Sequence, residues 1–562
     1  MDDAAPPSAQ DNPRPSHQPG TPRRPRTPRA GARTWLWLCC LLVGLLGLLP
    51  QAVPVLGTTV ATERLACLSY APFRRDGHTP LDPHLTLSDA QLLEDLRLMA
   101  QWTGCIRTYG TDHGQDRIPA LAGPLGLTVV QGAWISRDPV GSQQEVDRAI
   151  ALARAHPDTV RLLVLGNEVL LRQERSPQDL AAILRDARQR STVPVTYADV
   201  WEFWLRHAAV LAPEVDVVAA HVLPYWEDVP IGLDQAVAHV LSIHRHLLQA
   251  FAGKPIWIAE TGWPSAGRQR GPAVPGVREQ VQFVRELRAQ LHGQGVDYNL
   301  IEAFDQPWKR QFEGAMGGAW GVADAQGVLR DPGKGLLPAD PLAVGACWGA
   351  ALGLLMAFFL KAWQGLRIGK GGAPRDDDGG AVAFACLGVT MGMLLGAHLT
   401  TASMWWRNPT EWAIGLVHAG LALVVCIGCL MRFASLPHRL PTAVLRAWLL
   451  VTAWQALTLV FDGRYRPLPA LLVAAPAVGL WCTPATVAWC RMGTADRFLA
   501  GVLAAAAPVL IVFEGLANTQ ALTLAMAWLL VAAAVWAAKG DHLGRHDGLD
   551  PVGNERASSA RS

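Results

Sequence analysis

Short apolar runs and helical periodicities alternate between residues 65 and 304. The runs Leu65–Tyr70, Cys105–Tyr109, Leu127–Ala133, Arg161–Gly166, Val193–Ala198, Val215–Ala220, Pro255–Ala259 and Tyr298–Phe304 are each five to seven residues long. That is the length of a strand and too short for a helix. Between them, apolar residues return at helical spacing in Ser88–Gln101, Ser142–Ala155, Pro177–Arg190, Leu233–Phe251 and Val277–Leu291. Eight strands alternating with helices or crossovers over about 280 residues predict an α/β fold, the (β/α)8 TIM barrel. An open doubly wound sheet is the alternative. It should carry a Gly-rich phosphate loop after its first strand, where this chain has Tyr70-Ala71-Pro72-Phe73-Arg74.

Outside this region the apolar runs lengthen. Trp35 to Leu49 opens an uncharged stretch that reaches Ala61, long enough to cross a bilayer. After residue 340 come seven further apolar segments, near 342–360, 381–402, 412–431, 442–461, 467–490, 498–513 and 520–538. The expected organisation is a disordered basic tail (1–34), a transmembrane anchor (35–56) and the barrel domain (57–340). An all-α polytopic region of about seven transmembrane helices (341–538) and a second tail (539–562) follow. A cleaved signal sequence is the rival reading of 35–56, but no A-x-A site follows its apolar run.

Charge then sets the orientation. Arg23, Arg24, Arg26 and Arg29 precede the first segment and should stay in the cytoplasm, which sends the barrel outward. On that topology the inner loops hold Lys361, Arg367, Lys370, Arg375, Arg432, Arg439, Arg491 and Arg497, and the tail adds Lys539 and Arg545. The outer loops hold Arg407, Arg464 and Arg466. The bias toward basic inner loops agrees with the anchor at every turn, so both termini are expected to be cytoplasmic. Eleven of the 22 Trp lie after residue 340, several near segment ends such as Trp363, Trp405, Trp412 and Trp536, where an interfacial belt places them.

Composition sharpens this division. Asp, Glu, Lys and Arg make up 60 of the 284 residues in 57–340 but only 19 of the 198 in 341–538. The first stretch can be solvated as an ordinary domain and the second cannot. A net charge of +2 excludes a strongly basic nucleic-acid-binding protein. Ten Cys in 562 residues are too sparse for a disulfide scaffold. Cys67 and Cys105 fall on adjacent strands, but parallel neighbours rarely offer disulfide geometry, and two buried thiols are expected.

In a β/α barrel the polar residues at the C-terminal strand ends face the active site. Here they are Tyr109, Trp134, Asn167 with Glu168, Asp199, His221 with Tyr225, Glu260 with Trp263, and Glu302 with Asp305. Glu168 ends the fourth strand and Glu260 the seventh. Across a barrel mouth two such carboxylates approach to about 5 Å, the separation of a retaining glycosidase pair. That chemistry asks one carboxyl to donate a proton to the leaving oxygen and the other to attack the anomeric carbon. A lone Glu at a barrel rim would more simply pair with an Arg.

The surrounding motifs narrow the choice. Gly166-Asn167-Glu168 and Glu260-Thr261-Gly262-Trp263-Pro264-Ser265 resemble the two signatures of glycoside hydrolase family 17, the β-1,3-glucanase family of plants, fungi and bacteria. Ile301-Glu302-Ala303-Phe304-Asp305-Gln306-Pro307-Trp308-Lys309 resembles its eighth-strand motif, and Arg107-Thr108-Tyr109 and Pro224-Tyr225-Trp226 match as well. The similarity covers about residues 65–335. It implies Glu168 as acid/base and Glu260 as nucleophile, with Asn167 bonding the sugar 2-OH and Glu302 with Lys309 as a pair at the cleft floor. The expected substrate-binding set is Tyr109, Trp134, Asn167, His221, Tyr225, Trp226, Trp263, Glu302, Trp308 and Lys309. Within it Tyr225 orients the nucleophile, and Trp134, Trp226, Trp263 and Trp308 offer apolar faces to pyranose rings. Core packing is the competing reading for Tyr225 and for each Trp. Ala259 departs from the small hydroxyl residue of many relatives.

The resemblance implies a retaining β-1,3-glucan-active enzyme in the periplasmic space of a bacterial inner membrane. Its partners would be β-glucan, membrane lipid and other envelope glucan-synthesis proteins, with no nucleic acid. A β-glucan transglycosylase and a non-catalytic glucan-binding membrane protein are the alternatives. No cofactor or metal is expected. Phosphate-loop, flavin and nicotinamide fingerprints are missing, and His221, His239, His244 and His246 have no Cys partners. In the apolar third, His398 and His418 are the central titratable groups, too few for an ion-coupled carrier. Asp376-Asp377-Asp378 reads as a solvated charge run.

Overall fold

The structure is a computed structural model that describes residues 29–56, 64–291, 294–331, 336–368, 378–434, 436, 440–490 and 492–538. Residues 1–28 of the basic tail, the tail 539–562, Lys370, Arg375, Asp376, Asp377, Arg439 and Arg491 lie outside the described residues.

Eight parallel strands close into a barrel. They are β1 (Leu68–Ser69), β2 (Cys105–Arg107), β3 (Thr128–Ala133), β4 (Val160–Asn167), β5 (Val195–Val200), β6 (Val218–His221), β7 (Ile256–Thr261) and β8 (Asp297–Leu300). Each pairs with the next, and β8 returns to β1 through Leu300 and Leu68. The predicted (β/α)8 architecture is the one found, with strand ends within a few residues of expectation. Helices Asp89–Trp102, Pro139–Ala155 and Pro177–Arg190 start where a side chain caps them. Ser88 accepts from Gln91 N–H, Asp138 from Val140 and Gly141 N–H, and Ser176 from Asp179 N–H. Pro139 and Pro177 occupy first helical positions, where no amide donor is needed.

The barrel interior is lined by Val130, Leu162, Val164, Ala198, Ala219, Trp257 and Ala259 together with Cys67 and Cys105. The two cysteines are joined by a disulfide, which corrects the expectation of free thiols. Leu68 pairs with Ile106, so Cys67 stands directly opposite Cys105, and their Cα atoms are 4.5 Å apart, within bridging range. Where the chain enters and leaves the barrel, Val55–Leu56 and Leu336–Leu337 form a two-stranded antiparallel ribbon. Arg278 ties it down by donating to the Val53 and Pro338 carbonyls.

Among the described residues, six helices beyond the barrel are long and apolar enough to cross a membrane: Pro341–Ile368, Asp378–Thr401, Pro409–Phe433, Thr442–Asp462, Thr494–Glu514 and Thr519–Ala537. Side chains such as Phe358, Val512 and Phe513 are exposed on them, an apolar surface suited to lipid. The predicted segment 467–490 differs. It is broken into Ala470–Cys482 and Pro484–Trp489, because Pro484 cannot continue the hydrogen-bond ladder and turns Thr483 out of helical geometry. The N-terminal helix Arg29–Leu48 packs against Pro341–Ile368 and Asp378–Thr401. Those two meet backbone to backbone through Gly345, Gly349 and Gly353 on one and Gly388, Gly392 and Gly396 on the other.

Candidate active site at the barrel mouth

Glu168 and Glu260 project from the C-terminal ends of β4 and β7 into one site. Their aim has a local cause at β4. Its register with β5 shifts between Val164 and Asn167, Gly166 takes φ +88° and Glu168 itself φ +52°. A non-glycine residue in the left-handed region is strained, and such strain collects where a side chain must be aimed. The Glu168 amide is fixed by donating to the Ala198 carbonyl at 2.8 Å.

Glu260 is 3% exposed. Its Oε1 accepts from Arg107 Nη1 at 2.6 Å and from the Tyr109 hydroxyl at 2.9 Å, with His221 Nε2 3.6 Å away. Burial pushes this carboxyl up, but His221, Arg107, the Tyr109 hydroxyl and Lys309 together outweigh it and hold the group below its ordinary value. Glu260 is thus kept ionised out of water. His221 bridges the pair, its Nδ1 lying 2.9 Å from Glu168 Oε1. One ligand atom from each of Glu168, His221 and Glu260 lies within 4.8 Å of the others. Among the described residues this is the cluster that could hold a metal ion. Arg107 already places a positive charge on Glu260 there and opposes a second cation.

Arg107 was not among the expected site residues, yet it organises the centre. Fully buried, it donates to Glu260, to the Ala259 carbonyl at 3.0 Å and through Nη2 to Asn167 Oδ1 at 2.5 Å. Asn167 Oδ1 being so engaged, its amide nitrogen is the group turned to other partners. The sequence signal for Arg107 was a charged residue directly after the apolar pair Cys105-Ile106.

Beneath the pair, Lys309 donates to both Glu302 oxygens, at 3.2 and 3.3 Å. Burial lifts the Glu302 carboxyl to about 7; Lys309 opposes this, while Glu313 and Glu260 add to it. Burial would lower Lys309, but Glu302, Glu313 and Glu260 overcome it and raise the ammonium above its ordinary value. Glu313 was also missed. It sits in the turn after Lys309, its carboxyl raised by burial and by the charges of Glu168 and Glu260, with Lys309 pulling the other way.

The remaining expected residues divide. Trp134 is 40% exposed with Arg172 over its ring at 4.0 Å, and its amide donates to buried Glu145 at 3.0 Å. Trp226 and Trp308 are half-buried at the mouth. Trp263 is fully buried, stacked on Phe283 and donating to the Val274 carbonyl, so it has no face for a ligand. Tyr225 does not orient Glu260. Its hydroxyl donates to the Arg268 carbonyl at 2.7 Å, and the orienting phenol is Tyr109. Asp199 pairs with the Tyr197 hydroxyl and Asp305 with Arg330, both as structural contacts.

Comparison with known proteins assigns the class of this domain. Residues 67–321 match the family model of the BtgE/BtgC glycoside hydrolase domain. The chain is 27% identical over 264 residues to the "Probable beta-glucosidase btgE" of Aspergillus fumigatus, covering 46% of this chain and 45% of that protein. It is 28% identical over 233 residues to the "Glucan 1,3-beta-glucosidase" of Schizosaccharomyces pombe, covering 39% of this chain and 72% of the relative. The chain spans about half the length of the btgE relatives it matches. A solved structure, the glycoside hydrolase family 17 β-1,3-glucanosyltransferase from Rhizomucor miehei, aligns with 48% of this chain and 97% of its own at 23% identity and a TM-score of 0.42. The barrel is a glycoside-hydrolase-type domain, and its relatives are named for action on β-glucosides and glucan.

Proposed function

We propose that the barrel is a retaining glycosidase acting on β-1,3-linked glucan, with Glu260 as nucleophile and Glu168 as acid/base. One observation carries this reading: the two carboxylates approach within 4.8 Å, one buried against Arg107 and Tyr109, the other part-exposed. Inverting pairs stand about 6.5–9.5 Å apart to admit a water, and retaining pairs near 5 Å.

In the first step Glu260 attacks the anomeric carbon while Glu168 gives its proton to the glycosidic oxygen, which leaves as an alcohol. A glycosyl ester forms on Glu260. Arg107, Tyr109 and His221 all address Oε1, which leaves Oε2 to make the bond. In the second step Glu168, now a carboxylate, takes the proton of an incoming hydroxyl whose oxygen displaces Glu260. Water as acceptor gives hydrolysis; a glucan hydroxyl gives transfer. Asn167, its oxygen held by Arg107, has its amide N–H groups for the sugar 2-OH. Trp134, Trp226 and Trp308 supply ring faces.

The apolar helices would hold this domain at the outer face of a bacterial cell membrane, where envelope glucan is within reach. The test is to incubate the full-length protein in detergent micelles with β-1,3-gluco-oligosaccharides of defined length. Shorter products alone mean hydrolysis, and longer or branched products beside the shorter leaving group mean transfer. Glu168→Gln should slow either by roughly 10²–10⁴. Oligosaccharide binding with no bond made or broken overturns the catalytic reading.

A further inference from the structure

The barrel mouth is not open all round. On the side of the loops after β6, β7 and β8 it rests on three connections at one end of the helical region. Arg268, buried in the β7 loop, pairs with Glu514 and donates to the Gly463 carbonyl. Beside it Gln269 is buried: its N–H donates to Gln520 Oε1 at 2.9 Å, its Nε2 to the Ala517 carbonyl at 3.1 Å, and its backbone carbonyl accepts from Asn518 Nδ2 at 3.0 Å. Arg310, after β8, donates to the Ser403 and Trp406 carbonyls at 2.6 and 2.9 Å. These are direct hydrogen bonds from buried or half-buried side chains, so the seam is specific.

One of the three connections touches Trp226, a residue of the expected substrate-binding set. The ring of Tyr465, in the turn between Thr442–Asp462 and Ala470–Cys482, meets Trp226 edge to face at 6.2 Å. Arg270 covers the other ring at 4.9 Å. The backbone of Tyr465 also closes on Gly314, where a Cβ would come within 2.9 Å of its carbonyl oxygen. Gly314 follows Glu313, the carboxylate coupled to both Glu168 and Glu260. On the opposite side Trp134 is 40% exposed, with Arg172 from the barrel itself over its ring.

We propose that the helical region completes the sugar cleft: Tyr465, with Trp226, forms its closed end and stacks a glucosyl unit remote from the bond that is broken. Tyr465 is then a specificity-determining residue supplied by the membrane part, and it reads chain length. This rests on the glucan assignment above but not on catalysis. A ring face at the end of a groove adds affinity only for oligosaccharides long enough to reach it.

The test uses the full chain carrying Glu168→Gln in detergent micelles, with calorimetric Kd for a β-1,3-linked glucotriose and glucohexaose. The hexaose should bind more tightly than the triose, and Tyr465→Ser in that background should shrink the ratio about tenfold. Tyr465→Trp should preserve it. If the Ser variant fails to fold, Tyr465→Leu keeps bulk without a polarised ring face and should shrink the ratio likewise. An unchanged ratio in a variant that still binds the triose overturns the proposal, as does equal affinity of the parent for both sugars. A chain that shows this length dependence yet, with Glu168 intact, cleaves nothing keeps the proposal and overturns the catalytic reading instead.

Discussion

Within the barrel, Arg107, Glu260 and Glu302 are at most 3% exposed, and the charge-assisted pairs Arg107–Glu260 and Lys309–Glu302 lie close enough for their charges to act on one another. In the helical region the buried polar groups along the spans are His398, Thr401, His418 and Thr452, and the buried carboxylate Asp496 lies in the first turn of its helix, paired with Arg446. Both regions are apolar inside, yet one spends burial on charge and the other on close backbone contact. Buried charge is costly unless fully paired, so where a fold keeps it, the arrangement has a use beyond stability. Close glycine packing carries no such message. That is why the barrel's chemistry can be argued from its residues and the bundle's role only from what it touches.

The largest test of this contrast is Arg107→Met. It leaves Glu260 buried without its cation and frees Asn167, and breaking a buried pair costs about 3–5 kcal/mol. The Glu260 carboxyl should rise, and kcat/KM on glucan should fall by roughly 10²–10³ even though both carboxylates remain. An enzyme within tenfold of wild type would mean that Arg107 is an ordinary structural ion.

Glu302 offers the next effect, read as pH dependence. Its carboxyl is lifted to about 7 from an ordinary 4.5, burial being the main cause. The stability it contributes is present below 4.5 and is lost as pH rises through 7, by about 3 kcal/mol at most. Lys309, Glu313 and Glu260 face it and set the field in which it titrates. The melting temperature of wild type minus that of Glu302→Gln should therefore decline between pH 4.5 and 7 and flatten above. A flat difference curve would mean that the Glu302 carboxyl does not change its proton in that range.

How much of this could be read from residues alone follows the same division. Strands and spans were legible because apolar run length reports them directly, and Glu168 and Glu260 because each ends a strand beside a distinctive motif. Arg107 was not, since its partners lie 60 and 153 positions away and only barrel closure brings them together. Glu313 hid in a turn without periodicity. The Cys67–Cys105 bond depends on register, which one pairing of Leu68 with Ile106 decides. Segment 467–490 passed as one span on hydropathy, although Pro484 divides it. The docking of the bundle on the barrel rim left no sequence signal, because its contacts run largely to backbone carbonyls.

On the bundle side, Gly349→Leu should matter through packing. A Cβ there would lie 2.0 Å from the Gly392 carbonyl oxygen, so helices Pro341–Ile368 and Asp378–Thr401 must separate. Overpacking of this kind costs about 1–3 kcal/mol. Thermal unfolding in micelles should register it, with glucan turnover at moderate temperature far less affected than in Arg107→Met. Equal losses in both variants would mean that the barrel and bundle behave as one cooperative unit.

The smallest effects separate two phenols, buried Tyr225 and half-buried Tyr109. Tyr225→Phe removes one hydrogen bond, to the Arg268 carbonyl, and should lower stability by about 1 kcal/mol. Turnover should stay within about twofold, because that loss falls on folding and not on the transition state. Tyr109→Phe removes a bond to Glu260 itself. Glu260, the proposed nucleophile, loses a donor that helps keep it ionised, so the acid limb of the kcat/KM profile should move to higher pH along with a loss of rate. If Tyr225→Phe shifts that limb and Tyr109→Phe does not, the orienting phenol has been assigned to the wrong strand end, and the geometry around Glu260 must be redrawn.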